Sequence, residues 1–182
     1  MPCFRSTSAA AIATAVVLAA CGGSSSTSGV SPSAYVKSVC SAVGAFRKDI
    51  QDKSSALSAT SLTNPHQGKA ALQAFVSASV SGADDAVSKL KDAGSPNVAN
   101  GKSISSSIVG AFTQLSSAFT QTESSVNALS TSSAAAFKSG AQSVYVKLRA
   151  SLSGLLTGLS GLNSPALQQA AKKEPACQTL AG

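Results

Sequence analysis

The sequence predicts an all-α protein: an antiparallel up-down four-helix bundle with a short C-terminal helix. Two observations carry this. Apolar residues recur at three- and four-residue steps through nearly all of the chain after residue 31, and no segment alternates with the period of a strand over a useful length. Four such stripes, each roughly 25 residues long, are joined by short connections, which is the pattern of antiparallel neighbours.

The first stripe comprises Val36, Val39, Val43, Phe46, Ile50 and Leu57, opened by Ser31 as a cap and Pro32 in the first turn. It fades through SATSLTN into Asn64 and Pro65, a second cap-plus-proline start, and Leu72, Val76, Val80, Ala83, Val87 and Leu90 follow on one face. That helix stops near Gly94, where AGSPNVANG supplies glycine, proline and an Asn-Gly pair. The third stripe, Ile108, Phe112, Leu115, Phe119, Val126 and Leu129, keeps alternating four-three steps and wants a partner, with Thr122 its one polar member. After STSS at 130–133, a fourth helix carries Phe137, Ala141, Val144, Leu148, Leu155, Leu159 and Leu162. Ser164 and Pro165 start a short fifth helix running to about Lys173, which Pro175 ends. Gly154, Gly158 and Gly161 have the spacing of a membrane helix seam, but Arg149 and the frequent serines point to close packing or a frayed end.

The front of the chain reads differently. Arg5 precedes AAAIATAVVLAA at 9–20, an apolar run well short of the roughly 20 residues a membrane-spanning helix needs, so it reads as the core of a secretory signal. It ends in Leu18-Ala19-Ala20-Cys21, which resembles the lipobox of bacterial lipoproteins. The resemblance implies that Cys21 is lipidated and becomes the first residue of the mature chain; the alternative is an ordinary secreted protein in which Cys21 stays free or pairs elsewhere. Two acyl chains suffice for stable anchoring. GGSSSTSGVS at 22–31 then makes sense as a flexible tether. The expected organisation is a signal peptide at 1–20, a tether at 21–31 and a helical domain at 32–182.

With Cys3 removed and Cys21 assigned by that resemblance, Cys40 and Cys177 remain, and an exported protein holds them where disulfides persist. A Cys40 to Cys177 bridge is expected, tying the tail to helix one. It agrees with the topology, since an antiparallel fourth helix would end beside the start of the first.

The formal net charge is +7, yet the basic residues are dispersed and aromatics are 4 % of the chain, with no tryptophan. A nucleic-acid binder concentrates its charge and interleaves stacking rings, so no nucleic-acid partner is expected. Charged residues are only 12 %, and about a fifth of the chain is serine. His66 is the single histidine, in the first turn of helix two, with no nucleophile motif around it. Asp84 and Asp85 point about 100° apart on a helix and do not face each other, while Lys89 has the spacing to pair with Asp85. Haem ligation through Tyr35, Tyr145 or His66 has no support in their spacing, and no cofactor or metal is expected.

The expected function is therefore non-enzymatic: a lipoprotein held to the extracytoplasmic face of the cell membrane through Cys21, acting by contact with another envelope component. The domain loosely resembles small helical actinobacterial cell-envelope lipoproteins of uncharacterised function. The alternative is a carrier holding an apolar ligand such as a lipid inside the bundle, in a pocket of about a few hundred Å³ lined by Phe46, Phe75, Phe112 or Phe119.

Overall fold

Proline-opened, capped segments become helices in the computed structural model, which describes residues 29–59, 64–159 and 164–181, with side chains at 29–56, 64–150 and 164–180. The elements are α1 (Pro32–Ala59), α2 (Pro65–Asp92), α3 (Gly101–Asn127), α4 (Ala134–Leu159), α5 (Pro165–Lys173) and α6 (Pro175–Ala181). The protein is all-helical, and among the described residues the only β-type pairing is an isolated bridge between Val30 and Pro96.

The expected starts are chemically explicit. Asn64 Oδ1 accepts from the amides of His66 and Gln67 at 3.0 and 3.2 Å, and the Ser31 and Ser133 hydroxyls accept from Ala34 and Ala136. Each satisfies amides that have no carbonyl partner in a first turn. Pro175 does more than end α5. The Glu174 carboxylate accepts from the Ala176 amide and proline fits a first helical position, so a sixth helix begins where the sequence reading places a stop.

Serine-rich helices persist because the hydroxyls bond within their own helix. Ser79 Oγ donates to the Phe75 carbonyl at 2.8 Å and Thr122 Oγ1 to the Ala118 carbonyl at 2.8 Å, so both sit buried among apolar neighbours with their polar atoms satisfied. Thr122 thus stays in the buried stripe of α3 without breaking it.

Consecutive long helices pack on one another. Phe46 of α1 lies against Gly82 of α2; Lys69 early in α2 donates to the carbonyls of Asn127, the last residue of α3, and of Leu129 just beyond it; Val126 and Leu129 pack with Phe137 of α4. Two apolar clusters fill the interior. One joins Val76, Val126, Leu129 and Phe137, with Leu72, Phe75 and Val144 against them. The other joins Ala83, Leu115 and Phe119 to Phe46, Ile50, Val80, Phe112 and Leu148, drawing on all four long helices.

The tail closes the fold differently from expectation. Among the described residues α4 makes no close backbone approach to α1; α5 and α6 pack on α1 instead. Cys40 and Cys177 are disulfide-bonded, with Cα atoms 5.1 Å apart, and the Arg47 guanidinium donates to the Leu180 carbonyl at 2.8 Å. The fourth helix delivers the chain, and the two short helices carry the cysteine back to α1. Leu162, Gly161 and the side chains of Leu57, Leu155 and Leu159 lie outside the described residues.

Candidate functional site

Small residues shape a concavity between α1 and α2. Where α1 and α2 cross, Ala42, Ala45, Ala78, Gly82 and Ala86 leave a groove of about 480 Å³ with Phe46 in one wall and Asp49, Lys53, Asp85 and Lys89 around it. A Cβ on Gly82 would come within 3.2 Å of Asp49 Oδ2 and 3.4 Å of the Phe46 ring, so glycine there preserves the contact. Its volume is that of a small-molecule site, but two carboxylates and two ammonium groups make its surroundings polar. The i,i+4 ion pair that forms among the described residues is Lys48 with Asp52, both exposed, and not Asp85 with Lys89.

The four phenylalanines do not share one chamber. Phe46 meets Phe112 edge-on with centroids 5.8 Å apart and Phe119 at 6.5 Å, and the three rings occupy the space between α1 and α3. Phe75 belongs to the other cluster, beside Val76 and Phe137. The α1 and α3 backbones do not approach closely, so the Phe46 ring bridges a gap that smaller side chains would leave.

The titratable residues singled out from the sequence are dispersed. His66 is exposed at the start of α2, its amide used in the Asn64 cap. Asp84 accepts from the Ser116 hydroxyl at 2.6 Å and so ties α2 to α3, while Asp85 lies at the α1–α2 groove, as their angular separation requires. Tyr145 is 63 % exposed on α4, whereas Tyr35 is buried at the start of α1. Burial raises the Tyr35 phenol above the ordinary tyrosine value, partly offset by the Ser105 hydroxyl beside it. Ser105 in turn donates to the Gly94 carbonyl at 2.7 Å, which joins α1, α3 and the α2–α3 turn in one polar contact. Among the described residues no three His, Cys, Asp or Glu side chains cluster as metal ligands, and no helix is long and apolar enough to cross a membrane.

Cys21 lies outside the described residues. The folded domain starts ahead of the expected boundary: Val30 donates to the Ser95 carbonyl at 2.8 Å and accepts from the Asn97 amide at 2.7 Å. Residues 29–31, which the sequence reading gives to the tether, are thus held on the α2–α3 turn. The one sequence signal was a lone valine amid glycine and serine. Comparison with known proteins finds no matching family model, no matching curated protein and no matching solved structure.

Proposed function

We propose that this protein is a lipoprotein anchored through Cys21 on the extracytoplasmic face of a membrane, and that its helical domain works by contact with another envelope component without catalysing a reaction. The observation that carries the reading is the Cys40–Cys177 disulfide, a bond characteristic of exported proteins, in a chain whose Leu18-Ala19-Ala20-Cys21 ends an apolar leader. In this reading α1 to α4 form an up-down four-helix bundle. Support comes from the packing of each long helix on the next and from the cluster around Phe119 to which all four contribute. The domain offers its partner a rigid surface, serine-rich and thinly charged.

A lipid-carrier role draws less support. Three of its four candidate phenylalanines pack against one another, and the groove beside Phe46 is bordered by charge. The deciding experiment is intact-mass analysis of the mature product with membrane fractionation. A chain beginning at an acylated Cys21, released to the soluble fraction by Cys21→Ser, is the expected result. A bare thiol at that position overturns the proposal.

A further inference from the structure

Val30 fixes where the folded domain meets its amino-terminal segment. Its two backbone hydrogen bonds to Ser95 and Asn97 pin the chain to the α2–α3 turn, and Gly29 sits so tightly there that a Cβ would come 3.0 Å from the Asn97 amide nitrogen. Eight residue steps separate Cys21 from Gly29 (29 minus 21). Eight residues reach at most about 28 Å in any conformation. By comparison α2 has 28 residues and is about 42 Å long. An anchor on Cys21 therefore keeps the pole bearing the α2–α3 turn close to the bilayer, whatever path the linking residues take.

That pole is basic. Lys37 lies in the second turn of α1, Lys89 and Lys91 in the last turn of α2, and Lys102 is the second residue of α3; all are exposed. The tail adds Lys172 and Lys173. The Gln178 side chain donates to the Lys172 carbonyl, and neighbouring Cys177 is bonded to Cys40 in α1, so this pair sits beside the first turns of α1. Asp92 and Glu174 are close to them in sequence, and Asp85 lies one turn before Lys89 at the α1–α2 groove. At the opposite pole Lys69 is engaged by two carbonyls, and Lys138 lies in the second turn of α4.

We infer that this lysine-bearing pole is a docking face for anionic lipid headgroups, an inference that rests on the Cys21 anchor. Attraction between lysines and an anionic leaflet fades within about a Debye length, near 8 Å at physiological salt. A domain free in solution therefore binds weakly and reversibly, and only where the leaflet is anionic. A domain tethered within about 28 Å is always at high local concentration near the surface, so a weak attraction orients it. The α2–α3 turn and the tail then face the lipid, and the pole bearing the α3–α4 connection faces outward toward a partner.

The test uses the mature chain, residues 21–182, carrying Cys21→Ser, so that no acyl chain contributes. Its sedimentation with phosphatidylcholine vesicles is compared with and without phosphatidylglycerol. Binding is expected only with phosphatidylglycerol and is expected to vanish at high salt. Lys37→Glu/Lys91→Glu/Lys102→Glu and, separately, Lys172→Glu/Lys173→Glu should weaken it at least about tenfold. Lys48→Glu/Lys53→Glu/Lys138→Glu, on the rest of the surface, should leave it within about twofold of the parent, with circular dichroism verifying the fold of each variant. No binding to anionic vesicles, or equal losses in all variants, overturns the docking face. Neither outcome touches acylation of Cys21, which the mass of the mature product reads independently.

Discussion

Cys40 in α1 and Cys177 in α6 are bonded across 137 residues of sequence, and this bond is the strongest attachment of the tail. Helices α5 and α6, nine and seven residues long, are below the roughly 12–15 residues that an isolated helix needs, and α5 buries no residue completely. Their order depends on α1. Replacing both cysteines by serine is expected to lower stability by about 2–5 kcal/mol, the chain-entropy limit for so long a loop being about 5 kcal/mol. Hydrogen exchange should show amides 165–181 losing protection first while α2 and α3 stay protected. Uniform loss across the molecule would contradict a tail held by the bond.

Gly101 opens α3 under the Pro96 carbonyl, and a Cβ there would collide with that backbone oxygen. Backbone cannot swing aside as a side chain can, so Gly101→Ala should cost about 1–3 kcal/mol in denaturant unfolding. Gly110, in the same helix, has nothing within 4 Å of its hypothetical Cβ. Gly110→Ala should stabilise by about 0.5–1 kcal/mol through helix propensity. Opposite signs at two glycines of one helix provide the check.

Periodicity revealed the four long helices because burial alone selects a three-four stripe, as Leu115, Phe119 and Val126 show. Caps were legible for the same local reason: Asn64 and Ser31 bond amides two or three residues away. What was hidden depends on contacts distant in sequence. Val30 pairs with Pro96, 66 residues later (96 minus 30), a relationship no local pattern encodes. The separation of Phe75 from Phe46, Phe112 and Phe119 follows from which helix faces which at each level, and equal residue types at equal spacing do not reveal that. Pro175 was ambiguous because proline both forbids continuation and favours initiation, and only Glu174 capping the next turn decides between them.

Phe119 is 4 % exposed where all four long helices meet, with the Phe46 ring against it. Truncation leaves a cavity that neighbours on four helices cannot jointly collapse into, so Phe119→Ala should cost about 3–5 kcal/mol. Tyr145, 63 % exposed on α4, is the control: Tyr145→Ala should stay within about 0.5 kcal/mol of wild type in the same unfolding assay. A mild Phe119→Ala phenotype would mean that α1 or α4 is not seated against α3 as described.

Tyr35, 2 % exposed, gives the fold a built-in alkaline weakness. Its buried phenol titrates above the ordinary tyrosine value of 10.0, since burial disfavours the phenolate more than the Ser105 hydroxyl assists it. Below pH 10 the phenol is neutral in the folded and unfolded chains, and its contribution to stability is fully present. Above that the unfolded chain ionises first and binds fewer protons than the folded one, so stability falls with rising pH until the folded-state phenol has titrated too. Tyr35→Phe loses the hydroxyl contact, costing about 1 kcal/mol at neutral pH, but removes this pH dependence. Denaturant midpoints measured from pH 8 upward should therefore fall more steeply for wild type than for Tyr35→Phe once pH passes 10. Making both measurements in a Tyr145→Phe background leaves Tyr35 as the one tyrosine, so its absorbance change reports its ionisation directly. Parallel midpoint curves would show that the phenol ionises equally easily in both states and does not carry the burial described.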